Sequence, residues 1–159
     1  MIRLGCLGTV ILGLAITMAP VLVPAQGTAS EVTGAAEAIF PNGATFNGVP
    51  LRGLTLGQGL SIAGDGSATG QFQAVLLGTS LLGVPQDVTV EGEVSSGLVA
   101  SGGGSATFGG TATVDMGDGR LPVPGVPFTV TVSTGSLALT LDATALPTAS
   151  ATAGSITIE

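Results

Sequence analysis

Beyond its first 25 residues this chain contains no histidine, lysine, tyrosine, tryptophan or cysteine. Each absence removes a class of chemistry. Without histidine there is no Ser–His or Cys–His nucleophile, and without lysine no Ser–Lys pair. Zinc centres built on His or Cys are excluded. Lysine-dependent isopeptide cross-links are excluded as well. Five phenylalanines are the whole aromatic content, which leaves sugar recognition without its usual Trp and Tyr platforms. Positive charge is equally scarce. After residue 25, ten acidic residues stand against Arg52 and Arg120, a formal charge of −8. Such a chain is repelled by nucleic acid and by anionic membrane surfaces. No nucleic-acid partner is expected.

What the N-terminus does contain reads as a secretory signal. Met1-Ile2-Arg3 carries one positive charge, and Leu4 to Val23 carries none. Val23-Pro24-Ala25 places small residues at −3 and −1, so cleavage is expected before Gln26. The run is long enough to compete as a membrane anchor, since about 20 apolar residues span a bilayer. Gly5, Gly8, Gly13 and Pro20 interrupt it, and the cleavage site follows at once. Leu4-Gly5-Cys6 loosely resembles a lipobox but precedes the apolar region instead of following it. Residues 1–25 are therefore read as a signal peptide and residues 26–159 as one domain, placed in the periplasm, on the cell surface or outside the cell. No membrane association is expected once the signal is removed. The absence of cystine is tolerable, because a chain of this length buries a core without staples.

The mature segment is rich in Val, Ile and Thr, which sets it apart from disordered sequence. The 27 glycines of the whole chain lack the strict third-position period of collagen. Several runs alternate. Val88, Val90 and Val94 oppose Thr89, Glu91 and Glu93; Ala106, Phe108, Ala112, Val114 and Met116 oppose Thr107, Thr111, Thr113 and Asp115. Phe128, Val130 and Val132 alternate with Thr129, Thr131 and Ser133, and Leu137, Leu139 and Leu141 with Ala138, Thr140 and Asp142. Side chains of a strand alternate faces, so each run has one buried and one wet face, the mark of antiparallel sheet. Weaker strands are expected near 32–39, 51–56, 67–77 and 155–158. Gly-Asp-Gly at 64–66 and at 117–119 marks turns. The expectation is an all-β fold, a single antiparallel β-sandwich, with a small β-barrel as the alternative and a solenoid behind it.

The segment from Gly83-Val84-Pro85 to Val114 is echoed about forty residues later from Gly125-Val126-Pro127 to Ile158. Two copies are too few for a solenoid. The echo reads as a repeated hairpin inside one domain. Gly-Ser-Ala-Thr-Phe at 104–108, Gly-Thr-Ala-Thr-Val at 110–114, Phe-Thr-Val-Thr-Val at 128–132 and Ala-Gly-Ser-Ile-Thr-Ile at 153–158 give residues 66–159 a strand order that resembles the post-COAP family. The resemblance implies a small secreted bacterial β-domain with no established activity. The family's aromatic-rich, Asp-containing loop before the Phe128 strand is replaced here by Gly117 to Pro127. No functional residue is carried across.

The chemistry that remains rests on carboxylates. Glu91 and Glu93 lie two apart on one strand face, about 7 Å by strand rise, a spacing within reach of glycoside chemistry. They fit the polar face of an amphipathic strand better. Asp115 and Asp118, in Asp115-Met116-Gly117-Asp118-Gly119, are the candidate calcium ligands. Calcium takes six to eight oxygens, and this loop lacks the third acid and the closing Glu of an EF-hand, so a structural turn is favoured. Asp65 is a lone turn residue. Thr111-x-Thr113 and Thr129-x-Thr131 resemble ice-binding threonine pairs, but two pairs make no flat array. Leu146-Pro147-Thr148-Ala149 falls short of a sortase signal.

No catalytic residue and no cofactor are assigned. The expected function is a non-catalytic structural or interaction module that associates with itself or with an envelope component. The alternative is a small-ligand binder, taking calcium weakly or a hydrophobic ligand near Phe72, Leu76, Leu77, Leu81 and Leu82.

Overall fold

The computed structural model describes residues 29–159. The expected signal segment, with Cys6 and the cleavage site, lies outside the described residues. Ten strands follow in order: β1 (Ser30–Ile39), β2 (Thr45–Phe46), β3 (Val49–Ile62), β4 (Ser67–Gly78), β5 (Val88–Val99), β6 (Ser105–Asp115), β7 (Val123–Ser133), β8 (Ser136–Leu141), β9 (Thr144–Ala145) and β10 (Ala149–Ile158). All pairings are antiparallel. No helix occurs among the described residues. The all-β antiparallel expectation holds.

From β3 to β8 the chain runs up and down between nearest neighbours. β10 then pairs with both β8 and β1, and β1 pairs with β3, so the pairings run in a ring. The ring is not a regular barrel. β8 and β10 share only the pairs Ala149–Leu137 and Ser150–Ser136, against ten consecutive pairs between β1 and β3. The fold is sandwich-like, with its apolar side chains enclosed between facing strands.

The core follows the alternation. Phe72 of β4 stacks on Phe128 of β7, ring centroids 5.2 Å apart, and meets Phe108 of β6 edge-on at 5.9 Å. These offset and T-shaped geometries suit the ring quadrupoles. Val88, Val90, Val130, Val132, Leu139 and Leu141 fill the space around them and are fully buried. Gly92 makes the stack possible. It sits between Phe72 and Ala112 in the ladder, and a Cβ there would lie 2.6 Å from the Phe128 ring.

Turn chemistry sets the hairpins. Asp65 Oδ1 accepts the Ser67 N–H at 2.9 Å and the Ser67 hydroxyl at 2.6 Å. This closes the Gly-Asp-Gly turn between β3 and β4, and both bonds hold the exposed Asp65 carboxyl below its ordinary 3.8.

Two expectations are corrected. The repeated hairpin is not a structural repeat. Its first copy is the adjacent pair β5–β6, but its second falls on β7 and β10, which β8 separates. Similar Thr/Val alternation in two places reflects the shared demand of a half-buried strand. The leucine cluster also comes apart. Phe72 and Leu76 belong to the core, whereas Leu81 and Leu82 stand in solvent on a loop.

Candidate functional site

An antiparallel ring gathers alternate loops at one end. Here the β2–β3 turn, the β4–β5 loop (79–87), the β6–β7 loop (116–122) and the β8–β9 turn share one end. Side chains lock the first three together. Gln86 Nε2 donates to the Met116 carbonyl at 3.0 Å, and Asn47 Nδ2 approaches the Met116 sulfur at 3.9 Å. Asp87 Oδ1 accepts the Gly78 N–H at 3.1 Å.

On this braced end two loops expose large apolar side chains. Leu81 and Leu82 are 93% and 90% exposed, and Leu121 is 91% exposed. Val84 and Val123 stand beside them, more than half exposed. The leucine pair is not on a slack segment. Gly83 N–H donates to the Ser80 carbonyl at 2.9 Å, Ser80 N–H to the Val84 carbonyl at 2.8 Å, and Val84 N–H to the Ser80 hydroxyl at 3.2 Å. That turn fixes Leu81 and Leu82 at its tip. Each leucine forgoes about 1.5–3 kcal/mol that burial would give.

Between the β2–β3 turn, the start of β7 and the β8–β9 turn, the mouth of the ring holds an open groove of about 390 Å³. Phe46, Met116, Val126, Pro127 and Leu141 form its apolar lining. Asn47 and Asp142 stand at its rim, and they are the only non-glycine residues with positive φ among the described residues, at 48° and 53°. Asn and Asp tolerate this conformation because their short polar side chains bond locally.

Asp115 and Asp118, the calcium candidates, lie in the β6–β7 segment at the same end, and each is occupied locally. Asp115 Oδ1 accepts the Gly117 N–H at 2.9 Å. Asp118 Oδ1 accepts the Arg120 N–H at 3.0 Å, with the Arg120 guanidinium 3.5 Å from Oδ2. These are two consecutive Asx turns, the arrangement expected of a structural loop. Among the described residues no group of three or more His, Cys, Asp or Glu is placed to hold a metal ion.

Glu91 and Glu93 project from the outer face of β5 into an open groove of about 550 Å³. Gln71 and Gln73 of β4 flank them on one side, Thr111 and Thr113 of β6 on the other. The Gln73 amide reaches Glu91 at 3.5 Å. The row is a solvated ladder of amide, carboxylate and hydroxyl groups.

The threonine pairs do not align. Thr111 faces Pro127 and Thr129 faces Gly109 across the β6–β7 ladder. Leu146 of the sortase-like stretch is buried, with its N–H bonded to the Leu139 carbonyl. The apolar loop tips escaped the sequence reading, which took Leu81 and Leu82 for part of a cluster. The Pro and Gly residues flanking both segments were the available signal, since they mark loops.

Comparison with family models, with curated proteins and with solved structures finds no match to this chain.

Proposed function

We propose that this protein is a non-catalytic interaction module that works outside the cytoplasm and docks on an envelope component through the loop end of its β-domain. The observation that carries the reading is the leucine pair Leu81–Leu82, held at the tip of a hydrogen-bonded turn with Leu121 exposed on the loop beside it. Apolar side chains that a fold pins in solvent are surface waiting for a partner. The scarcity of catalytic side chains supports the non-catalytic part of the reading, and the signal-like Met1–Ala25 supports the location. The test is co-sedimentation with envelope fragments of the producing cell. Replacing Leu81 and Leu82 by Ser is expected to cut binding at least fivefold without changing the melting temperature. Unaltered binding would sink the proposal.

A second reading rests on the mouth groove. Its volume and apolar lining suit a small hydrophobic ligand, and ring mouths are common places for such sites. Titration with a fatty acid, followed by calorimetry, separates it from docking. Saturable binding lost on Met116→Asp would favour the ligand reading.

A further inference from the structure

We infer that the free edge of β10 pairs with the same edge of a second copy, giving a two-fold dimer centred on Ile156. The proposal goes beyond docking at the loop end and uses a different surface.

β10 is bonded to β8 only at Ala149 and Ser150, then continues past the β7–β8 turn with β1 as its one neighbour among the described strands. Which groups remain open follows from the ladder. Glu31 and Glu159 exchange both hydrogen bonds, each 2.9 Å. In an antiparallel ladder bonded pairs alternate with unbonded ones. Thr157, Ser155 and Ala153 therefore turn their backbone groups toward β1. Ile158, Ile156 and Gly154 turn theirs outward, where no described strand meets them. Ser150 through Ser155 are exposed, and Ile156 and Ile158 are only half-buried although they point toward the core.

The occupant is identified by the chemistry of this edge. It asks for backbone donors and acceptors at strand spacing, so it fits another strand. It carries no charge between Asp142 and Glu159, on a chain otherwise strongly acidic. Two copies therefore approach here with less repulsion than across their acidic outer face. The other open edges among the described residues are the two-residue strands β2 and β9, too short to pair at length, and Val123 to Val126 on β7, which Pro124 and Pro127 blunt; β10 has no such guard. With a single usable edge among the described residues, pairing joins like to like and stops at two. Its length is bounded too. A bulge at Thr152 ends the regular ladder on one side. There Gly154, at φ 86°, holds a position where a Cβ would clash with the Ala35 carbonyl. On the other side β10 itself ends at Ile158. In this register Ile156 pairs with itself and Gly154 with Ile158, for about six new backbone hydrogen bonds. Ser155 and Thr157, both exposed, come directly opposite each other.

The test is the molar mass of the protein as its producing host processes it, by size exclusion with light scattering at 100 µM. The wild type is expected at twice the chain mass. Of the backbone hydrogen-bonding groups Ile156→Pro removes only an outward N–H, and it is expected to halve that mass. Where this variant fails to fold, a second pair decides. Ser155→Glu with Thr157→Glu places like charges opposite each other and is also expected to give monomer. Mixing it with Ser155→Lys, Thr157→Lys should restore a dimer containing one of each. Leu81→Ser with Leu82→Ser should leave the dimer intact, so loss of docking and loss of dimer are read separately. A monomeric wild type would overturn the proposal. So would a dimer that survives both the proline and the glutamate variants.

Discussion

At the scale of single residues, the energetics separate the two faces of each strand. Phe128 is buried against Phe72 and over Gly92. Phe128→Ala should cost about 3–5 kcal/mol, read from chemical denaturation, because it removes a packed ring and leaves a cavity. Thr131 lies on the outer face and shares a 2.9 Å hydroxyl bond with Thr107. Thr131→Ser keeps that bond, so its effect should stay under about 0.5 kcal/mol. Equal losses would contradict the face assignment. Gln58 is the residue that breaks the pattern. Among the described residues it is the one buried polar side chain, 9% exposed, and neither its amide nitrogen nor its oxygen has a hydrogen-bond partner there. A buried amide left unpaired costs about 1–3 kcal/mol. Gln58→Leu, close in volume, should therefore raise stability by roughly 1 kcal/mol or more; a comparable loss would show that the amide has a polar partner. Asp65 makes the pH argument. The Ser67 bonds favour its ionised form, so their contribution is whole above the ordinary value of 3.8 and is lost as pH falls through the lowered folded value. An NMR titration of the Asp65 carboxyl should have its midpoint below 3.8.

At the scale of elements, the β6–β7 loop is a pair of turns whose carboxylates already accept backbone N–H groups. Calcium would have to compete with those bonds and would find two carboxylates. Binding no tighter than millimolar is expected, which at 1 mM ion adds about 0.4 kcal/mol by linkage. The melting temperature should rise by no more than a few degrees in calcium, and Asp118→Asn should leave the calcium-free melt nearly unchanged. A rise of ten degrees, abolished by that substitution, would make the loop a metal site. The strands themselves were largely legible. Each alternating run became a strand, with Val88, Phe108, Phe128 and Leu139 inside and Thr113 and Thr129 outside, because alternation reports a half-buried surface directly. β3 and β10 were underestimated. Pro50, Gly53, Gly57 and Gly59 interrupt the alternation of β3, and Ser150 to Gly154 carry too little apolar volume to betray β10. The apolar loop end was not legible. Which hairpins share an end depends on the order of strands around the ring, and local pattern carries no record of that order.

At the scale of the whole molecule, stability depends on closing the ring, and β1 closes it. β1 is bonded along its length to β3, and over Val32 to Ile39 also to β10. Its Val32 is fully buried. Removing β1 would leave long edges of β3 and β10 without partners and uncover the apolar residues beneath. The signal-like segment has a different relation to the fold, since β1 begins at Ser30, four residues after the expected cleavage point. Two outcomes follow. The exported protein should begin at Gln26, by intact-mass spectrometry. A chain starting at Gln26 should melt cooperatively, whereas one starting at Phe40 should show no cooperative transition by calorimetry, the loss being far larger than the 5–15 kcal/mol that holds a typical domain folded would tolerate. Recovery of full-length chain in a membrane fraction would overturn the processing step. A cooperative melt without β1 would mean that β3 to β10 form a stable open sheet and that ring closure is not what holds this protein together.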